Sequence, residues 1–233
     1  MYPKILKTLF FLIFFFYFLY KKNYRKEIKN NYFYLFKKKN FPFAYYFKSL
    51  AENLSTMMVI NKKKSSLIFD KIKFLGDNII RERGGVVVTF HYGIYELLPL
   101  IFSQRGYKTA IVYSPQRNSL LNTILLRIRK GKVEKFLRNL KEIKEALQEG
   151  YLVGFAIDNI HKGKLVSLKE ILPHLKVSLS PFIIAQRFGY PLYFVLIRKN
   201  EKDYQVVIKK GFLPLFIKEE LKKNIFDWVL WEK

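Results

Sequence analysis

No cysteine occurs in the 233 residues. That absence excludes a disulfide framework, a thiol nucleophile and cysteine-ligated zinc. Histidine is almost as scarce: His91, His161 and His174 are the whole set, and their spacing fits no zinc site, so no metal is expected. Acidic residues are few as well. Eighteen Asp and Glu stand against 43 Lys and Arg, a formal net charge of +25. Such a field attracts polyanions: nucleic acid, an anionic membrane face or an acidic protein. The signatures of nucleic-acid binding, a paired-cysteine finger or an aromatic RNP segment, are missing, so no nucleic acid is expected. What the chain has in quantity is apolar. Half the residues are hydrophobic and 18% are aromatic, which supports a large core and excludes a disordered chain.

The N-terminus carries the longest apolar run. From Ile5 to Tyr20 only Lys7 and Thr8 interrupt it, and Lys21, Lys22, Arg25, Lys26 and Lys29 follow. No small-residue cleavage site follows the run, which argues against a signal peptide. A full span needs about 20 apolar residues. The run therefore either spans with Lys4 and Lys7 snorkelling or lies in the interface as an aromatic anchor. The heavier basic load after the run predicts that the body of the protein is cytoplasmic. Three parts are expected: a membrane anchor over 1–22, a helical part over 23–83, and an α/β domain over 84–233.

Within the third part strand and helix patterns alternate. Val86, Val87 and Val88 form a buried strand, and Tyr95 to Phe102 follows as a helix. Ala110–Tyr113 reads as a strand, Leu120–Ile128 as a helix and 133–149 as an amphipathic helix closed by Gly150. Tyr151–Ile157 is a further strand. Ser180-Pro181 opens a helix that Gly189 ends, and Leu192–Ile197 and Tyr204–Ile208 are closing strands. A second helical segment is expected at about 67–80. The pattern is that of an α/β sheet layered with helices.

His91 falls where the first of these strands turns into a helix, the rim where α/β proteins carry their chemistry. Gly93 permits a sharp bend, and Glu96 follows His91 by five residues. A carboxylate on one ring nitrogen would fix the tautomer and leave the other nitrogen free to accept a proton. The alternative is a strand-end histidine bonded to backbone beside a solvated glutamate.

Separated blocks agree on one resemblance. They are His91-Tyr92-Gly93-Ile94-Tyr95-Glu96; Tyr113-Ser114-Pro115 with Asn118, Arg129 and Gly131; Gly150 with the strand ending in Asp158-Asn159; and Trp228-Val229-Leu230-Trp231. Together they resemble the late, lauroyl/myristoyl-type acyltransferases of lipid A biosynthesis, within the wider glycerolipid-acyltransferase-like superfamily. The resemblance covers about residues 25–231. It implies a helix-flanked mixed sheet of the glycerolipid-acyltransferase type with an N-terminal hydrophobic anchor helix. It implies transfer of a fatty acyl group from an acyl thioester, on acyl carrier protein or coenzyme A, to a hydroxyl of a lipid A-type acceptor, with no resident cofactor. In that scheme His91 is the general base and Glu96 orients it. Arg129 is a fork for phosphate or a solvated helix-end arginine. Asp158 binds a substrate hydroxyl or an arginine, or caps a turn. Asn118 is a substrate contact or, more simply, a helix cap. Trp228 and Trp231 form a helix face or an interfacial anchor. Another glycolipid or glycerolipid acceptor, and a non-catalytic tether for anionic lipid or RNA, are the competing readings.

Overall fold

The computed structural model describes residues 2–61, 64, 66–76, 80, 84–113, 122–123, 126, 129, 131–159, 163–200 and 203–229. Its centre is a seven-stranded mixed sheet. The strands are β1 (Ile72–Leu75), β2 (Gly85–Thr89), β3 (Thr109–Val112), β4 (Lys135–Leu137), β5 (Leu152–Ala156), β8 (Leu192–Asn200) and β9 (Asp203–Lys210). Their spatial order is β1-β9-β8-β2-β5-β3-β4, and a separate small hairpin joins β6 (Leu165–Ser167) to β7 (Lys176–Ser178). All pairings in the large sheet are parallel except β8 with β9.

β2 sits between β5 and β8 and is buried along its whole length. That explains its unbroken valines, since a parallel strand covered on both faces needs no polar side. Its side chains alternate between two cores. Val86, Val88 and Phe90 join the larger core. Helices α2 (Lys22–Phe36), α3 (Phe43–Val59), α6 (Leu140–Gln148), α7 (Ser180–Phe188) and α8 (Pro214–Lys223) supply much of the rest of it. Val87 points to the opposite core, with Leu98, Ile101 and Phe102 of α5 (Leu98–Gln104).

The alternating expectation for the α/β region holds for β2, β3, β5, α7, β8 and β9. The helix expected at 67–80 does not form as such. A short α4 (Ser66–Phe69) gives way to β1, which pairs in parallel with β9. Ile72 and Phe74 on β1 pack into the α5-side core, and that tertiary pairing overrides a helical reading. The amphipathic helix expected at 133–149 is shorter: β4 takes 135–137, and Asn139 caps α6 by accepting from the Glu142 backbone N–H at 3.0 Å. Most of the helix expected at 120–128 lies outside the described residues.

The N-terminal helix α1 (Tyr2–Tyr20) departs furthest from expectation. Among the described residues no helix is long and apolar enough to cross a membrane, so the spanning form of the anchor is not found. α1 instead lies on α3. Phe18 is buried, and its ring meets Tyr46 at 5.7 Å and Phe47 at 4.8 Å. Lys7, one of the two breaks in the apolar run, forms an ion pair with Glu52 of α3. Lys199 of β8 also pairs with Glu52, at 2.9 Å. Burial works to raise the Glu52 pKa, but the two ammonium groups more than offset it and hold the carboxylate below its usual range. The charge inside the run therefore fastens α1 to the body of the protein.

Candidate active site

The site stands on the carboxyl ends of β2 and β5. Thr89 and Ala156 are register partners in that parallel pair. Two residues past each come His91 and Asp158, so the sheet itself brings them side by side. Asp158 Oδ1 meets His91 Nδ1 at 2.7 Å. The same carboxylate accepts the His91 backbone N–H, at 3.0 and 3.1 Å to its two oxygens. Asp158 is fully buried at its side chain, whereas the His91 side chain keeps 17% of its surface open. A buried carboxylate on Nδ1 fixes the ring orientation and favours the tautomer whose Nε2 is the acceptor.

The orienting partner expected at Glu96 is thus Asp158. Gly93, at φ +60, turns the chain between His91 and a 3-10 turn over Tyr95–Leu97. That turn directs Glu96 elsewhere. Both of its oxygens engage Arg129, Oε2 accepting from Nε at 2.8 Å and Oε1 from a terminal nitrogen at 2.6 Å. Both partners are largely buried, and the two-pronged geometry is the strong form of this pair. Burial opposes the Arg129 charge, but the Glu96 carboxylate outweighs it and raises the guanidinium pKa above its ordinary value. Neither bland reading expected for this pair, a solvated glutamate or a solvated helix-end arginine, describes it.

Tyr95 bridges the two pairs. Its ring meets the His91 ring edge-on at 4.8 Å. Burial, followed by the neighbouring Glu96 charge, pushes its phenol well above the usual range, which keeps it neutral.

Trp228 packs in the core and makes a contact that sequence reasoning missed. It is fully buried, not an interfacial anchor, and its indole Nε1–H donates to Asp158 Oδ2 at 2.7 Å. The segment carrying it straps the histidine turn. Val229 N donates to His91 O at 2.9 Å, Gly93 N donates to Asp227 O at 2.9 Å, and Tyr92 and Trp228 form an antiparallel bridge. The strap is pinned in turn by Asp227, whose carboxylate accepts from Ser49 at 2.6 Å, Asn53 at 2.8 Å and Asn224 at 2.7 Å. Burial raises the Asp227 pKa even though the Ser49 and Asn53 hydrogen bonds pull it down. The available signal was that a buried tryptophan must find an acceptor for its N–H.

Beside the Glu96–Arg129 pair opens an apolar slot. Its floor is the α5 face of the sheet, from Thr89, Ala156 and Val112 at the strand ends back to Val87, Leu152 and Thr109. Leu98, Pro99 and Phe102 roof it, and Tyr95, Glu96 and Arg129 also line it. Gly154 on β5 leaves the floor open, because it carries no side chain. Asn118 and His161 lie outside the described residues. Among those described, no group of acidic and histidine side chains could hold a metal ion.

A histidine–carboxylate couple, an adjacent guanidinium and a hydrocarbon-lined slot make up the equipment for moving an acyl group. No curated protein matches the chain. The family profile described as Bacterial lipid A biosynthesis acyltransferase matches residues 37–206, a span that includes His91, Glu96, Arg129 and Asp158. The chain therefore belongs to the bacterial lipid A biosynthesis acyltransferase family, and it is an acyltransferase.

Proposed function

We propose that the protein moves a fatty acyl chain from an acyl thioester to a hydroxyl of a lipid A-type glycolipid, at the cytoplasmic face of the inner membrane. The observation that carries this reading is the His91–Asp158 couple, whose imidazole meets the ring of Tyr95, a residue that lines the apolar slot. The acyl tail lies in the slot with its carbonyl at the mouth. His91 Nε2 removes the proton of the acceptor hydroxyl as that oxygen attacks the thioester carbon. Asp158 holds the imidazole in place and stabilises the imidazolium that forms. Glu96 engages Nε and one terminal nitrogen of Arg129. The remaining terminal nitrogen is the donor suited to the oxyanion of the tetrahedral intermediate. Collapse breaks the carbon–sulfur bond, and the imidazolium proton goes to the leaving thiolate. The acceptor supplies the nucleophile and the thioester supplies the acyl group, so the scheme needs no cofactor.

The net charge of +25 supports the two partners of this reaction. An acidic acyl carrier protein is steered by a basic surface, and a cytoplasmic leaflet attracts lysine-rich segments. The decisive experiment follows thiol release from an acyl-carrier thioester and from acyl coenzyme A, in detergent micelles, with glycolipid and glycerolipid acceptors side by side. Thiol release that depends on the glycolipid, matched by ester formation and lost in His91→Ala, is the expected result. Equal release without acceptor, or full transfer by His91→Ala, overturns the proposal.

A further inference from the structure

A groove between the first three helices takes no part in the chemistry above, and both α1 and α2 precede the residues matched by the family profile. One side of α1 is packed on α3. On the other, Ile5, Leu9, Leu12, Ile13, Phe16 and Tyr20 recur at helical spacing and stand between 44% and 83% exposed. They form one uninterrupted apolar stripe on a helix that cannot cross a bilayer. Phe15 and Leu19 flank the stripe and lead into the groove, whose floor is Phe18, Phe43 and Phe47.

The far wall is electrostatic. Lys22, Arg25, Lys26 and Lys29 on α2 line the groove. Among the described residues no acidic side chain pairs with any of them, and Lys29 lies over the Phe43 ring at 5.7 Å. The one acid of α2, Glu27, lines a different depression with Asn30 and Asn31. Four like charges held within eight residues repel one another until an anion comes between them. The complement to an aromatic floor with a cationic wall is a molecule with a hydrocarbon tail and a negatively charged head. An acidic protein surface would satisfy the wall and leave the floor uncovered.

We infer that this groove seats an anionic phospholipid of the bilayer surface, with α1 lying in the membrane plane, its stripe sunk among the acyl chains. The inference rests on the membrane location proposed above and assigns it to a particular site. Its geometry orients the protein on the bilayer: α1 and α2 face the headgroups, and the stripe and the basic wall make contact together.

The test uses the full chain and two kinds of vesicle, phosphatidylcholine alone and phosphatidylcholine with phosphatidylglycerol. Partitioning by sedimentation is compared for the wild type, for Lys22→Gln/Arg25→Gln/Lys26→Gln/Lys29→Gln, and for a charge-matched control, Lys141→Gln/Lys144→Gln/Lys169→Gln/Lys176→Gln. The groove variant is expected to lose at least thirtyfold in partitioning to the anionic vesicles, and the control less than threefold. Leu12→Ser/Phe16→Ser is expected to weaken binding to both vesicle types. Should the quadruple variant not fold, Lys26→Gln/Lys29→Gln gives the same comparison at about fivefold. Equal losses in the groove and control variants would show that only overall charge matters and would overturn the site, as would no loss in either. Acyl transfer in detergent micelles by the groove variant is expected to match the wild type. That arm separates failure of this site from failure of the acyl-transfer scheme.

Discussion

The Trp228 indole donates its N–H to Asp158 Oδ2, while Oδ1 of the same carboxylate meets the His91 ring. Trp228 is therefore a positioning residue: it shares the negative charge that polarises the imidazole and fixes the plane of the carboxylate. Trp228→Phe keeps an aromatic ring and removes the N–H. We expect kcat to fall about 10- to 150-fold with little change in KM, since a hydrogen bond to a charged group contributes about 1.5–3 kcal/mol. The carboxylate would then concentrate its charge on His91, and the acidic limb of the pH–rate profile should move upward. An unshifted profile would make Trp228 a packing residue only.

Asp158→Asn tests the couple itself. Asp158 accepts three N–H donors, two from His91 and one from Trp228. An amide turns one of those oxygens into a donor and so sets donor against donor. The loss in kcat should be at least 100-fold with the fold intact, as judged by near-UV circular dichroism. Activity within threefold of the wild type would remove Asp158 from the mechanism.

The Glu96–Arg129 pair makes a different prediction, one of stability. Arg129→Met leaves a buried carboxylate without its partner, which costs about 3–5 kcal/mol. Replacing both residues with apolar ones of similar size should cost markedly less than the sum of the single changes. Urea denaturation of the two singles and the double is the measurement, and strict additivity would show that the pair is not coupled. Activity should be lost wherever Arg129 is replaced, because its guanidinium lines the slot.

The members of the candidate site were legible in the sequence as residues, and less so as pairings. His91, Glu96, Arg129 and Asp158 are all there, and β2 was readable from its valines. The five-residue offset of Glu96 suggested a local partner for His91. Partnership was instead decided by sheet register, which sets Asp158 beside His91 across 67 residues of chain. Local spacing carries no trace of such a pairing. Trp228 was hidden for the same reason, since its role depends on a strap 137 residues after His91 folding back over the turn. The α1 run was readable as apolar, but its packing on α3 depends on Lys7 finding Glu52.

Lys132 gives the pH dependence. It is buried, and its ammonium donates to the Met57 carbonyl in the last turn of α3, one of the carbonyls a helix end leaves unpaired. Burial pulls its pKa from 10.5 down to about 8, against an upward pull from Glu96. Below that value the native state bears the cost of a buried charge. As pH rises from about 8 to 10.5 the native lysine loses its proton before the unfolded one does. The unfolded state then holds more protons, and stability increases with pH. The expected gain from this group is about 3 kcal/mol at most. Chemical denaturation at pH 7.5 and pH 10 should show it, and the difference between the two should shrink by that amount in Lys132→Met. An unchanged difference would mean that Lys132 titrates as an exposed lysine does.

Gly154 tests whether the acyl tail occupies the slot. A Cβ built there would meet the Ala110 carbonyl oxygen and Ile111 Cγ2 at 3.6 Å, which is ordinary contact, so β5 can carry a side chain without shifting. The added atoms would instead occupy slot volume, because Gly154 faces the cavity between Val87 and Ile111. Gly154→Val should leave transfer of a short acyl group close to wild type and penalise long ones. Each methylene kept out of the slot forfeits about 0.8 kcal/mol, roughly a fourfold loss in kcat/KM. The preferred donor should therefore become shorter by about two to four carbons, read from a series of thioesters of increasing length. A chain-length profile identical to that of the wild type would mean that the acyl tail runs along another surface and that this slot serves only to separate α5 from the sheet.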